Sequence, residues 1–174
     1  MVASTFELFK IGVGPSSSHT MGPMLAAALF VERLSDTGRL NDITRLETLL
    51  FGSLALTGKG HATDRAILLG LSGKRPENIE PDAADALVEQ IRARSEICID
   101  GSRAIAFDEE NDVIFDQKKR LDFHSNAMRF NAFSGDDLVE SRVYYSVGGG
   151  AVLDEDEIGS NSPESGLWDV PHRF

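Results

Sequence analysis

The sequence predicts a mixed α/β (α+β) domain in which a mostly antiparallel sheet carries helices on one face. Three observations predict this fold class. Helical patterns separated by glycine-rich turns fill the first half, short strand-like runs follow residue 100, and no segment repeats. With 174 residues, 41% hydrophobic and 26% charged, the chain has the size and composition of one globular domain.

The first helix is predicted over residues 24–34 (MLAAALFVERL), which are good helix formers and mainly apolar. Proline is tolerated only in the first helical turn, so Pro23 places the start of the helix, with Thr20 or Gly22 as its cap. Residues 16–19 are therefore expected in the loop that precedes the helix.

A strand and a second helix are predicted next. Residues 44–51 (TRLETLLF) alternate and then become apolar, which is typical of a strand entering a core. A glycine-rich bend follows, and residues 64–71 (DRAILLGL) form the second helix, capped by Thr63 or Asp64 and ended by Gly73.

The third helix is predicted over residues 82–95, and short strands follow it. The expected buried stripe of this helix consists of Ala83, Leu87, Ile91, Ala84 and Val88. The strand-like runs are separated by turn-like stretches such as DEEN and SGDD, and they cover residues 102–107, 112–116, 127–133 and 137–147.

Composition argues against several classes of protein. The net charge of −11 disfavours a nucleic-acid partner, and Cys98 is the only cysteine, too few for a disulfide or an iron–sulfur cluster. No run reaches the roughly 18 apolar residues of a membrane helix, and the first residues, MVASTFELFKIG, do not form a signal peptide. We therefore expect a cytoplasmic protein without a membrane segment.

Two similar segments are the candidates for chemistry. Each places a histidine, hydroxyls and glycines before a helix, where free amides and the helix dipole favour a carboxylate or phosphate. A single anion-binding pocket is one reading, and simple helix capping is an equally weighted alternative. The segments are residues 15–20, with Ser16, Ser17, Ser18, His19 and Thr20, and residues 58–64, with Lys59, His61, Thr63 and Asp64.

Two later segments are weaker candidates. Residues 120–130 place His124 and Asn126 in a turn between apolar residues, and a metal site shared with His19 and His61 is a less favoured reading. The three glycines after residues 144–147 allow either a close backbone approach to a ligand or a neighbouring chain, or a plain sharp turn.

Four motifs together resemble a known family. Residues 6–23 (FELFKIGVGPSSSHTMGP), 51–73 (FGSLALTGKGHATDRAILLGLSG), 121–130 (LDFHSNAMRF) and 144–155 (YYSVGGGAVLDE) are similar to the β domain of bacterial iron–sulfur L-serine dehydratases. The resemblance implies a part in converting L-serine to pyruvate and ammonia with a [4Fe–4S] cluster and no pyridoxal phosphate. The cluster would lie in a separate α domain or subunit, where an open iron site acts on the substrate hydroxyl.

The resemblance also assigns roles and boundaries. It implies His19 and His61 as catalytic residues without deciding which is the base. It implies that the substrate contacts are Ser16, Ser17, Ser18, Thr20, Lys59, Thr63, Asp64, His124 and Asn126. Residues 5–159 would form the β domain and residues 160–174 a linker or cut end. Partners would be the α domain, L-serine and a second copy in a homodimer, and the isolated chain is expected to bind no iron and to be inactive.

A regulatory function is the main alternative. The family's β domain resembles the allosteric substrate-binding domain of some phosphoglycerate dehydrogenases, so the same pocket could sense serine without chemistry. A scaffold that only dimerises the enzyme would leave the clustered hydroxyls and histidines unexplained.

Overall fold

A computed structural model describes residues 16–160, without the side chains of residues 159 and 160. The strands in this range are β1 (Arg45–Phe51), β2 (Glu96–Ile99), β3 (Arg103–Ala106), β4 (Val113–Asp116), β5 (Asn126–Ser134), β6 (Asp137–Gly148) and β7 (Ala151–Asp154). The helices are α1 (Gly22–Asp36), α2 (Gly52–Thr57), α3 (Thr63–Leu71), α4 (Pro81–Arg94), α5 (Glu109–Asp112) and α6 (Glu155–Ser160), with a π-helical turn Ser17–Met21 and 3₁₀ turns Leu40–Asp42 and Lys59–His61.

Five of the described strands form one sheet in the order β4-β1-β5-β6-β7, and β2 pairs with β3 in a separate hairpin. The β1–β4 pair is parallel, and the other pairs in the sheet are antiparallel. The predicted fold class, a mostly antiparallel sheet with helices, is confirmed. Within residues 16–160, no helix is both long and apolar enough to span a lipid bilayer.

The main core joins the sheet to α1 and extends to α3, α4 and the β2–β3 hairpin. Leu46 and Leu50 alternate with more exposed residues along β1 and point into this core, as a period of two requires. Phe30 of α1 stacks on Phe130 of β5, with ring centroids 5.4 Å apart, and Tyr144 of β6 packs edge-on at 5.8 Å from Phe130. These three rings join α1 to the middle of the sheet.

Helices α1 and α3 cross at backbone contact distance because position 70 has no side chain. A Cβ atom on Gly70 would collide with the carbonyl oxygen of Met24 and lie 2.6 Å from the Cβ of Ala27. Thr63, at the first position of α3, donates from Oγ1 to the carbonyl of His19 at 2.6 Å. This hydrogen bond joins the start of α3 to the turn before α1, and the contact at Gly70 holds the end of α3 against the first turns of α1.

Several local predictions were wrong. The π-helical turn occupies residues predicted as loop, so the helical segment begins before Thr20, and no side-chain cap is formed there. Residues Gly52–Thr57, which follow the predicted strand and for which no helix was predicted, form helix α2. The hairpin strand β2 and the final strand β7 were not predicted. In α4, Ala83 is exposed, whereas Ala84, Val88 and Ile91 are buried.

Two other predictions concern the end of the described chain. Gly148, Gly149 and Gly150 have φ values of 104°, 60° and 81° and form the turn between β6 and β7. The three glycines therefore form a sharp turn, and a close approach of a ligand or a neighbouring chain to it stays a prediction. The predicted linker lies, apart from its first residue, outside the described residues.

Candidate functional site

The π-helical turn Ser17–Met21 presents His19 at the start of α1. Ser16 precedes the turn with an extended backbone (φ −139°, ψ 123°), and its carbonyl accepts hydrogen bonds from the amide and the hydroxyl of Thr20. The first amides of a helix have no acceptor within the helix. The first amides of the turn are therefore available to a ligand, beside serine hydroxyls of which Ser17 is exposed and Ser16 and Ser18 are partly exposed.

Hydroxyl groups surround the imidazole of His19. Its Nδ1 lies 2.9 Å from Oγ of Ser18, which is 3.3 Å from Oγ of Ser16. Its Nε2 lies 3.0 Å from Oγ1 of Thr57 and 3.2 Å from Oγ of Ser53, both on α2. Both ring nitrogens are thus engaged, so the position and orientation of this ring are fixed.

His61 ends the 3₁₀ turn that follows α2. The next residue, Ala62, has a left-handed backbone (φ 58°), and this reverses the chain into α3. Nδ1 of His61 lies 2.8 Å from the carbonyl oxygen of Thr57. A carbonyl can only accept, so Nδ1 carries the proton, and Nε2 of the neutral ring is left with its lone pair.

The two imidazoles converge, as the sequence predicted. Their ring centroids are 4.9 Å apart, with an angle of 39° between the planes, although 42 residues separate His19 and His61. Among the described residues, no hydrogen-bond partner faces Nε2 of His61. The pair therefore combines one imidazole that is held at both nitrogens with one that has a free lone pair.

The surroundings of His19 favour its neutral form. Burial lowers the pKa of His19 below its ordinary value, and the charge of nearby His61 lowers it further. A hydrogen bond with Ser53 raises this pKa in part. Near neutral pH, His19 is therefore an uncharged hydrogen-bonding group.

Acidification is expected to destabilise the folded chain through His19. In the unfolded chain its pKa is about 6.5, whereas in the folded chain it is lower, so the unfolded state binds the proton first as the pH falls. Stability is then complete above that value and lost as the pH drops through the folded pKa. Urea titrations at a series of pH values should show that the free energy of unfolding falls less steeply with decreasing pH in His19→Gln than in the unchanged chain. Equal dependence on pH in the two proteins would contradict this explanation.

Two of the predicted substrate-binding hydroxyls are buried. Thr20 and Thr63 are each 0% exposed, and both donate to main-chain carbonyls, of Ser16 and His19 respectively. Their hydroxyls thus connect the π-helical turn to itself and to α3. The structure gives them a part in shaping the site.

The side chains of Lys59 and Asp64 extend to a neighbouring cavity. The ammonium group of Lys59 lies 5.4 Å from the centroid of the Phe115 ring. Lys59 and Asp64 line a cavity of about 500 Å³ with Glu109, Glu110, Val113 and Phe115, and neither histidine of the pair lines it. The carboxylate of Asp64 also faces Arg92 at 3.9 Å. The contacts that the structure gives for this cation and this acid are thus with residues other than the histidine pair.

His124 and Asn126 lie at the end of the loop that runs into β5. Nδ1 of His124 accepts from the amide of Asn126 at 3.0 Å, and the buried side chain of Asn126 donates to the carbonyl of Ser146 at 3.3 Å. The carbonyl of Ser125 accepts from the amide of Ser53 at 2.8 Å. This last contact fixes the loop against the start of α2, beside the residues that hold His19.

Sequence reasoning missed Ser53 and Thr57. Both are on α2, four residues apart and hence on one helical face, and both contact Nε2 of His19. A correct prediction of α2 would have placed the two hydroxyls side by side, although not against the histidine.

Within the described part of the chain, no cluster of three or more His, Cys, Asp or Glu side chains is arranged to hold a metal ion, so the three-histidine metal site is not formed.

Comparisons with known proteins agree on one family. Residues 4–157 match the family described as serine dehydratase beta chain. The chain is 43% identical over 162 residues to an L-serine dehydratase of Streptomyces coelicolor, covering 92% of this chain and 36% of that protein. It is 40% identical over 172 residues to L-serine dehydratase 1 of Escherichia coli, covering 98% of this chain and 37% of that protein.

A relative from Helicobacter pylori, also named L-serine dehydratase, is 42% identical over 172 residues, with 98% of this chain and 37% of that protein covered. The chain thus spans little more than a third of the length of these relatives. The match extends over nearly all of this chain, including both histidine segments. The chain belongs to the serine dehydratase beta chain family.

Proposed function

We propose that this chain is the β domain of an enzyme that deaminates L-serine to pyruvate and ammonia, and that its histidine pair lines an active site completed by an iron–sulfur catalytic domain. Family membership and the names of the relatives support the reaction. The single observation that carries the role of this chain is the convergence of two imidazoles, one of them with a free nitrogen. The resemblance further implies a cytoplasmic homodimer.

The iron–sulfur cluster in this proposal belongs to the catalytic domain. Cys98 is the only cysteine of this chain, and a cluster is held by several thiolates. The described residues also provide no group of side chains that could hold a metal. The residues of this chain therefore do not fit the cluster, and the steps below concern only what its own side chains do.

Removal of the proton from the α-carbon of serine is the step that we assign to His61. The hydrogen bond from Nδ1 to the carbonyl of Thr57 fixes the ring and leaves the lone pair on Nε2. An imidazole is a suitable base because its ordinary pKa lies near the working pH. His19 lies beside His61, and because its pKa is lowered it stays neutral and does not compete with His61 for the proton.

We assign binding of the substrate carboxylate to the π-helical turn. Ser17 is exposed there, Ser16 and Ser18 are partly exposed, and the first amides of a helix have no acceptor within it. Such a helix start favours a negative charge. His124 and Asn126 would border the substrate from the loop fixed to α2. Lys59 and Asp64 line the neighbouring cavity, and we assign them no contact with the substrate carboxylate.

The proposal is tested by joining this chain to an iron–sulfur catalytic domain of a relative and measuring pyruvate formation under anaerobic conditions. L-serine should be turned over by the joined protein and not by either part alone. The same catalytic domain joined to its own β domain is the positive control. A joined protein that has an intact cluster but makes no pyruvate would exclude the proposed reaction.

A further inference from the structure

We propose that Thr57 is a positioning residue that sets the protonation pattern of both histidines, an inference that rests on the proposed function. Its hydroxyl contacts His19 and its carbonyl contacts His61, so one residue touches both imidazoles. Thr57 is itself exposed and is the last residue of α2. Its place on the rim of the site and its two contacts assign it a role beyond ending a helix.

The hydroxyl of Thr57 determines which nitrogen of His19 carries the proton. Oγ1 lies 2.9 Å from the carbonyl of Ser53, and a carbonyl can only accept, so the single hydroxyl hydrogen is used there. Toward Nε2 of His19, at 3.0 Å, this oxygen must then be the acceptor. His19 consequently carries its proton on Nε2, and its Nδ1 accepts from the hydroxyl of Ser18 at 2.9 Å.

The carbonyl of Thr57 determines the state of His61. The last carbonyls of a helix have no amide partner within the helix. The carbonyl of Thr57 accepts instead from Nδ1 of His61, at 2.8 Å. The amides that follow donate to other carbonyls: the amide of Gly58 donates to the carbonyl of Leu54, and the amide of His61 donates to the carbonyl of Gly58. His61 therefore carries its proton on Nδ1, the opposite choice to that of His19.

The two opposite tautomers have a joint consequence. At a centroid separation of 4.9 Å, two imidazolium ions would repel each other. Because Thr57 accepts from His19, the proton of the neutral ring stays on Nε2, and the lone pair on Nδ1 is engaged by the hydroxyl of Ser18. The proton-accepting nitrogen of the pair is then always Nε2 of His61, in a fixed orientation.

Thr57→Val tests this inference because valine keeps the branched shape and removes the hydroxyl. In the joined enzyme we expect kcat to fall about tenfold, the size expected for one lost neutral hydrogen bond, while KM changes less than about twofold. Thr57→Ser should restore most of kcat. Thr37→Val is the matched control, since Oγ1 of Thr37 also donates to the carbonyl four residues earlier but contacts no histidine.

Nitrogen-15 NMR of the histidines in the full 174-residue chain reports which ring nitrogen carries the proton. If Thr57 had a merely structural role, its replacement would leave this distribution unchanged. Thr57→Val should lower the fraction of His19 that carries its proton on Nε2, and Thr37→Val should not. If Thr57→Val changes neither this fraction nor kcat while His61→Gln stops turnover, the inference about Thr57 is wrong and the proposed function stands. If His61→Gln leaves turnover unchanged, the assignment of His61 as the base has failed, whereas a joined protein with an intact cluster that makes no pyruvate would exclude the proposed function.

Discussion

Replacing His61 by glutamine is expected to lower kcat of the joined enzyme by about 10²- to 10⁴-fold, the usual contribution of a general base. Glutamine keeps a donor that can reach the carbonyl of Thr57, but it has no basic nitrogen in place of Nε2. His19→Gln should have a smaller effect, because His19 acts as a neutral neighbour in the proposed site. Steady-state kinetics with L-serine, at matched cluster content, measures both variants.

The same variants separate catalysis from regulation. Serine binding and cluster content should be intact in His61→Gln if the residue acts as a base. A change confined to the cooperativity of serine saturation, with kcat preserved, would instead support the regulatory alternative. Activity equal to that of the unchanged enzyme would contradict the assignment of the base.

Replacing Phe130 by alanine is expected to lower the free energy of unfolding by about 3–5 kcal/mol, the usual cost of removing a buried aromatic ring. Phe130 is 1% exposed and packs between Phe30 of α1 and Tyr144 of β6. Its removal leaves a cavity where α1 meets the sheet. Urea unfolding followed by circular dichroism measures the change.

Phe123→Ala is the matched control for this prediction. Phe123 is 49% exposed and its ring contacts only the edge of the Tyr145 ring among the described aromatic pairs, at 5.1 Å. Its removal should cost less than about 1.5 kcal/mol, the upper range for one aromatic pair. Similar losses at Phe123 and Phe130 would show that the ring stack between α1 and the sheet is not where stability is concentrated.

Much of the fold could be predicted from the sequence because hydrophobic periodicity reports which face of an element is buried. The alternation in residues 44–51 located β1, and the apolar run of 24–34 located α1. Helix α2 escaped prediction because its six residues are fewer than two helical turns and show no period. The stripe of α4 was misplaced by one residue at Ala83, since adjacent alanines give no contrast in hydrophobicity.

The candidate site was predictable in part for a similar reason. Glycine-containing loops before two helices predicted the convergence of His19 and His61, because neighbouring helices bring their starts to one edge. The direction of the Lys59 side chain depends on Phe115, which is distant in sequence. The hydroxyl of Thr57 acquires its partner only through tertiary packing, and no local pattern encodes it.

The glycine at the crossing of α1 and α3 has an intrinsic disadvantage. In the interior of a helix, glycine is about 1 kcal/mol less favourable than alanine. Gly70 is the second-last residue of α3, where even a methyl group would collide with the carbonyl of Met24 and the side chain of Ala27. The chain thus has a residue of low helix propensity at this position because only glycine lets α1 and α3 approach so closely. A substitution of Gly70 that strengthened α3 as an isolated helix would therefore weaken the folded domain.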